Sequence, residues 1–278
     1  KANIKADDGR NFWLIDSAIL LPENTTLYLM NCKIKLSDRA RDNWIRSANC
    51  MPEVPRADII SRIHIIGEGS AVLEGADHPR ATGDGGKVLG QQTYGTDAGR
   101  EGERQKGDWR NIGILLVRVH DFTLQNLNLI NSHAWAVSLE HCRKGNVRNL
   151  HFESSEQVVI DGKQETILNR DGLDLRKGCR DISIENITGF TGDDLIALTA
   201  MTSKLRQPGI LNATEFYGSD KDQAEDHVFN ISIRNVRGYC AGGHHILRLL
   251  NNKGTKMYNI QVSDVMDVSP AGVQAKAT

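Results

Sequence analysis

The sequence predicts an all-β protein: a single-stranded right-handed parallel β-helix with long loops. A short pattern recurs five times: an apolar residue, any residue, Asn or Asp, and then apolar residues at alternating positions. Each copy alternates apolar and polar residues with period 2 and is rich in Val, Ile and Leu, as strands are. No helical periodicity is sustained along the chain. The pattern is centred on Asn126, Asn149, Asn186, Asn235 and Asp264, which are 23, 37, 49 and 29 residues apart.

Repeats with such spacings are typical of β-coils that stack and carry insertions, because one coil cannot bury its inner face alone. Equivalent positions then form ladders along the axis, about 4.8 Å apart. We expect the Asn/Asp ladder at a bend between two sheets, where a short amide can bond to the backbone. Seven residues before each Asn or Asp lies an apolar ladder that includes Cys142 and Cys179. These two thiols are predicted to be buried neighbours and not a disulfide.

The repeats predict one domain over residues 1–278. Residues 1–56 are interpreted as an N-terminal cap and the first strands. Residues 75–108 and 203–227 do not follow the repeat and are rich in Gly or polar residues. We expect both to be long loops that leave the stack, and loops of this length are often functional.

Composition excludes several classes of function. The chain has 278 residues with 34 Lys and Arg against 35 Asp and Glu, a net charge of −1. This balance predicts neither a nucleic-acid partner nor binding to an anionic membrane. No apolar run approaches the roughly 18 residues of a membrane span. The five cysteines include no CxxC pair, and there is no phosphate loop or nucleotide fingerprint, so no metal or cofactor is predicted.

Three polar clusters follow the repeats at strand ends. The first contains Asp171, the second contains Asp193 and Asp194, and the third contains His244 and His245. Asp193 and Asp194 come seven and eight residues after their ladder position and His244 nine residues after its own, so we expect neighbouring coils to bring them together. Asp171 belongs to the preceding coil and joins the same face. His245 is expected to point the other way and to be structural.

Carboxylates this close cannot all ionise easily, because their mutual repulsion raises at least one pKa. Glycoside hydrolysis needs such a set: one protonated carboxyl for the leaving oxygen and one carboxylate that activates water. An isolated Asp-Asp pair is usually a solvated turn. Three clusters in one register favour catalysis over that interpretation.

These motifs resemble those of the polygalacturonase-type pectinases, glycoside hydrolase family 28, which have the pectin-lyase-like right-handed β-helix. The family's motifs read Asn-Thr-Asp, Gly-Asp-Asp, Gly-His-Gly and Arg-Ile-Lys, in that order. The corresponding segments here are Asn169-Arg170-Asp171, Gly192-Asp193-Asp194, Gly243-His244-His245 and Gly272-Val-Gln274-Ala-Lys276.

The resemblance implies a catalytic role for four residues. Asp193 would be the general acid. Asp171 and Asp194 would hold and activate the water, which gives inversion at the anomeric carbon. His244 would support the protonation of the acid and contact the sugar.

The resemblance also implies a substrate-binding set of Lys276, Gln274, Arg170 and Asn169. Lys276 would bind a substrate carboxylate. Gln274 replaces the family's arginine and cannot supply its charge or its planar fork. Arg170 replaces a threonine and adds a cation, which either substitutes for the lost one or pairs with the acids. Leu195 replaces a cysteine found in many members, so Cys240 is expected to be unpaired.

The predicted function is therefore an inverting hydrolase of α-linked uronic-acid-containing polysaccharide, either polygalacturonan or rhamnogalacturonan, without metal or cofactor. The resemblance implies a secreted protein, extracellular or periplasmic, that acts on cell-wall pectin. Two alternatives stay open: a β-helix that binds glycan without cleaving it, and a polysaccharide lyase on the same fold.

Family members usually continue for further coils after the lysine motif. We expect that such coils follow Thr278 or that the N-terminal segment or a partner covers this end, because an open β-helix exposes a strand edge; the oligomeric state is left open.

Overall fold

A computed structural model describes residues 11–52, 54, 57–79, 108–201, 216, 224–251 and 254–273. These residues contain strands and two 3₁₀ turns, Trp109–Asn111 and Ala224–Asp226. Within these ranges no helix has the length and apolar character that crossing a membrane requires.

Two long parallel sheets make up the fold. The first has the order β1 (Trp13–Ile15), β3 (Thr25–Leu36), β5 (Ile60–Glu74), β7 (Val119–Ile130), β9 (Arg143–Glu153), β13 (Arg180–Thr191), β15 (Val228–Cys240) and β17 (Met257–Asp267). The second has the order β2 (Ile19–Leu21), β4 (Ile45–Ser47), β6 (Ile114–Val117), β8 (Val137–Glu140), β12 (Leu173–Leu175), β14 (Ile196–Ala200) and β16 (Leu247–Asn251). An antiparallel hairpin, β10 (Gln157–Ile160) and β11 (Lys163–Thr166), projects between β9 and β12. Because the chain alternates between two parallel sheets as it advances, the fold is the predicted parallel β-helix.

The predicted Asn ladder is present and holds neighbouring coils in register. Asn126, Asn149, Asn186, Asn235 and Asp264 all have positive φ, between 54° and 58°. The side-chain amide of each Asn donates to the carboxamide oxygen of the one before it, at 2.7, 2.8 and 2.6 Å for Asn149, Asn186 and Asn235. Asn and Asp tolerate this left-handed conformation better than other non-glycine residues. The bend lies inside the long strands of the first sheet, and not between the two sheets as expected.

The interior of the coils is a continuous apolar core. Inward side chains from both sheets, such as Leu173, Ile184 and Ile196, have no exposed surface. Cys142 and Cys179 lie in this core and are free thiols, as predicted. Burial raises the pKa of Cys179 to about 12. Both thiols are therefore packing residues and poor nucleophiles.

The predicted loops lie mostly outside the described residues. Of residues 75–108 the structure describes 75–79 and 108, and of residues 203–227 it describes Phe216 and 224–227. Phe216 is fully buried, so at least this part of the second loop packs against the coils. β17, the last strand of its sheet, leaves Tyr258, Val262 and Met266 exposed.

Replacing Asn186 tests the ladder. Asn186→Ala removes the amide bonds to Asn149 and Asn235 and puts a residue with a left-handed penalty at φ 58°. We expect a loss of about 2–3 kcal/mol in the free energy of unfolding, measured by urea denaturation. Asn186→Gly loses the same bonds without the conformational penalty and should cost about 1 kcal/mol less. Equal losses in the two variants would contradict a role for the left-handed conformation.

Candidate active site

The three polar clusters meet at one edge of the second sheet. Asp171, Asp194 and His245 each lie two residues before a strand of that sheet, β12, β14 and β16. The Gly172 N–H donates to the Asp194 carbonyl at 2.9 Å, and the Leu195 N–H donates to the His245 carbonyl at 2.9 Å. These bonds continue the parallel ladder beyond the strands, so the three residues are stacked one coil above another.

Glycines next to the acids allow the turns to approach closely. A Cβ atom on Gly242 would lie 2.0 Å from the Gly192 carbonyl oxygen, and one on Gly192 would lie 2.7 Å from the Glu156 nitrogen. Real Cβ atoms do not approach backbone so closely, so both positions require glycine. The glycine of the Gly-Asp-Asp motif therefore permits the backbone packing that carries Asp193 and Asp194.

Asp194 is held on both of its carboxylate oxygens. Its side chain is 1 % exposed, and Oδ1 accepts the His245 backbone N–H at 3.0 Å and lies 2.9 Å from His245 Nδ1. Oδ2 accepts from Arg248 Nη1 at 3.0 Å. A buried carboxylate requires such compensation, since charge-assisted hydrogen bonds offset the loss of water. The arrangement holds the Asp194 carboxyl in a fixed orientation.

Asp193 is the most accessible acid of the cluster. Its side chain is 19 % exposed, and Oδ1 lies 3.4 Å from His244 Nδ1 and accepts the Asp194 backbone N–H at 2.9 Å. Burial, followed by repulsion from Asp194, raises the pKa of Asp193, while His244 opposes the rise. The group can therefore keep a proton at a pH where an ordinary aspartate has lost it.

Asp171 and Asp174, from the preceding coil, complete the acidic cluster. Burial raises the pKa of Asp171 well above its ordinary value, and repulsion from Asp174, Asp193 and Asp194 adds to the rise. Burial likewise raises the pKa of Asp174, where Arg176 opposes it. Asp171 Oδ1 and Asp174 Oδ2 are buried without a hydrogen-bond partner among the residues described. Protons in such a cluster belong to the set as a whole.

Of the residues predicted to bind substrate, the structure describes Arg170 and Asn169. Arg170 is 2 % exposed, and its Nη1 donates to the Ser155 carbonyl at 2.6 Å. The guanidinium of Arg170 is therefore packed beside the segment that leads into the β10–β11 hairpin, and its contact with substrate stays a prediction. Asn169 is half-buried in a left-handed turn, φ 57°. Gln274 and Lys276 lie outside the described residues.

The expectation for His245 is wrong, and two further site residues were missed. His245 faces Asp194 because it lies in a turn, where the alternation of side chains along a strand does not hold. Asp174 and Arg248 each lie between two leucines, in β12 and β16, at positions that both pair with Ala197 of β14. The period-2 pattern of these strands was a signal that could have identified both.

The same residues offer potential ligands to a cation. Oxygen and nitrogen atoms of Asp193, Asp194 and His244 all lie within 4.8 Å of one another. However, both oxygens of Asp194 already accept from protein donors. The Asp194 carboxylate is thus built into a hydrogen-bonded network, which a cation would have to displace in part.

Comparison with known proteins agrees with this geometry. The family model for glycosyl hydrolases family 28 matches residues 80–244, more than half of the chain and a range that includes the three aspartates and His244. The chain belongs to this family, and it is a glycoside hydrolase with the family's right-handed parallel β-helix. A search of curated proteins found no match.

Arg248 provides a test of the network around Asp194. Arg248→Gln removes the cation that lowers the pKa of Asp193 and Asp174, so the basic limb of the pH profile of kcat/KM, which reports a protonated Asp193, should move to higher pH. We also expect kcat to fall at least about 10-fold, because Asp194 loses a charge-assisted bond worth about 1.5–3 kcal/mol.

Arg248→Lys keeps the charge and serves as the control. Its pH profile should return towards that of the unchanged protein even if kcat does not. A profile that stays the same in Arg248→Gln would contradict an electrostatic role for this residue.

Proposed function

We propose that the protein is an inverting hydrolase of α-linked, uronic-acid-containing polysaccharide of the pectin type, either polygalacturonan or rhamnogalacturonan. The observation that carries this proposal is the difference between two adjacent carboxyls. Asp193 is partly exposed with a raised pKa, and Asp194 is buried and held by Arg248 and His245. Pairs of acids with opposed protonation states are what glycoside hydrolysis requires.

Asp193 acts as the general acid. It transfers its proton to the glycosidic oxygen as the bond from that oxygen to the anomeric carbon breaks. His244, 3.4 Å away and 45 % exposed, lies where it can contact both the acid and a sugar hydroxyl. A group whose pKa is raised by burial gives up its proton only when charge develops on the leaving oxygen.

Asp171 and Asp194 bind and activate the water. Oδ1 of Asp171 has no partner among the described residues, and Oδ2 of Asp194 accepts a single bond, from Arg248. Each oxygen keeps acceptor capacity for a water O–H. The water oxygen bonds to the anomeric carbon on the face opposite the leaving group, and one of its protons passes to the Asp194 carboxylate.

An acidic sugar requires a cation in the cleft. Arg248 is 41 % exposed, and one Nη1 bond to Asp194 leaves N–H groups that can meet a uronate carboxylate. Lys276 is proposed to add a second cation. A polymer of this kind lies outside cells, so we propose that the enzyme is secreted, to the exterior or the periplasm, and acts on cell-wall material.

Asp193→Asn tests the assignment of the acid. The amide is isosteric but cannot donate an acidic proton, so kcat on polygalacturonate or rhamnogalacturonan should fall by about 10²–10⁴-fold. New reducing ends measure the rate, and ultraviolet absorbance of unsaturated products distinguishes a lyase from a hydrolase. Binding of polymer to this variant should be preserved.

Asp264→Asn is the matched control, because Asp264 lies in the Asn ladder, away from the acids, and Asn is favoured there. It should keep the full rate. A near-normal rate in Asp193→Asn would remove the acid assignment. Polymer binding by the unchanged protein without any new reducing ends would favour the glycan-binding alternative.

A further inference from the structure

Glu156 lies at the edge of the acid cluster, at the turn that precedes the acids in each coil. A Cβ atom on Gly192 would lie 2.7 Å from the Glu156 nitrogen, and one on Gly242 would lie 2.0 Å from the Gly192 carbonyl oxygen. Glu156, Gly192 and Gly242 are therefore stacked in three successive coils. Asp193 directly follows the second of these residues, and His244 lies two residues after the third.

The side chain of Glu156 extends over the two glycines. Its Oε2 atom lies 3.0 Å from the point where a Cβ atom on Gly242 would be, although Gly242 belongs to the second coil after its own. Each coil adds about 4.8 Å, so the side chain runs along the axis of the stack. Because glycine has no side chain, positions 192 and 242 leave the space in which the Glu156 carboxylate lies.

Two hydrogen bonds fix the backbone that carries Glu156. Its own carbonyl accepts the Ile167 N–H at 2.9 Å, which closes the base of the β10–β11 hairpin. The preceding carbonyl, that of Ser155, accepts from Nη1 of the buried Arg170 at 2.6 Å. A backbone that is held on both sides restricts the positions open to the side chain, so the carboxylate is a defined part of the edge of the cleft.

The carboxylate of Glu156 is available to a ligand. The residue is half-buried, and within the described ranges no residue bonds to its carboxylate oxygens. Asp194, by contrast, already has protein donors on both oxygens. The oxygens of Glu156 therefore keep their capacity to accept hydrogen bonds from the hydroxyl groups of a sugar.

Opposite charges thus flank the acids. Glu156 lies at the turn before them, and Arg248, 41 % exposed, lies on a strand that follows them. A uronate carboxylate is attracted to the guanidinium and repelled by the carboxylate, whereas sugar hydroxyls can donate to the carboxylate. The cleft is suited to a chain that presents a carboxylate on one side of the acids and only hydroxyls on the other.

We propose that Glu156 contacts the substrate and selects a neutral sugar beside the uronate, and hence rhamnogalacturonan over polygalacturonan. This inference rests on the proposed function. Rhamnogalacturonan alternates a uronic acid with neutral rhamnose, so a sugar without a carboxylate can lie against Glu156 while a uronate meets Arg248. In polygalacturonan every sugar carries a carboxylate, and the sugar at Glu156 would meet a like charge. Selection between such similar polymers uses a repulsive contact as well as an attractive one.

The ratio of the rates on the two polymers tests the inference. We measure kcat/KM from new reducing ends on rhamnogalacturonan and on polygalacturonate, for the unchanged enzyme and for Glu156→Gln, which keeps the size of the side chain and removes its charge. We expect the unchanged enzyme to prefer rhamnogalacturonan. In Glu156→Gln the ratio should shift at least about 5-fold towards polygalacturonate, because the repulsion between two unit charges at close range is lost. A preference of the unchanged enzyme for polygalacturonate, or the same ratio in a folded Glu156→Gln enzyme, would overturn the inference and leave hydrolysis intact.

Glu185→Gln is the matched control. It removes the same charge from the middle of β13, where Glu185 pairs with Arg234, and it should keep the ratio of the unchanged enzyme. An equal shift in this control would assign the effect to net charge and contradict the role of Glu156. Thermal denaturation establishes that each variant is folded, and if Glu156→Gln unfolds, the preference of the unchanged enzyme still decides. No new reducing ends with either polymer would contradict the proposed function itself, and the inference with it.

Discussion

The register of the stacked coils is the constraint on which the rest of the structure depends. Parallel pairing alone would permit a coil to slip by two residues at little cost to the apolar core, because side chains alternate with period 2. The left-handed Asn126, Asn149, Asn186 and Asn235 remove that freedom, since each amide must meet the one before it. Residues far apart in the chain then come together at a fixed height and angle along the axis.

The acid cluster uses this constraint to hold groups that would otherwise separate. Asp171, Asp174 and Asp194 are buried together, and their repulsion works against folding. Arg248 and His245, from the next coil, offset part of that repulsion at Asp194. Burial, together with the repulsion that remains, raises the pKa values of the other acids. One buried carboxyl held by Arg248, beside one accessible carboxyl with a raised pKa, is the division that acid catalysis requires.

The parts of the structure that repeat could be predicted from the sequence, and the parts that do not repeat could not. Counting residues from the Asn ladder was enough to bring Asp193 and His244 together, because every coil repeats the same geometry. The orientation of His245 was missed, since it lies in a turn without strand alternation. The burial of Arg170 depends on its contact with the Ser155 carbonyl, in an inserted segment. The Phe216 backbone N–H donates to Glu140 of β8, two coils before β14, the strand that Phe216 follows. No periodic pattern encodes such a contact.

The stereochemistry of the first product tests the account most directly. If Asp171 and Asp194 activate a water while Asp193 protonates the leaving oxygen, an α-linked substrate must yield the β-anomer first. Proton NMR of the anomeric signals during the first minutes of hydrolysis, before mutarotation, distinguishes the two anomers. The account predicts an initial β-anomer that later equilibrates. An initial α-anomer would require a covalent glycosyl-enzyme intermediate, and it would contradict the roles given to all three aspartates.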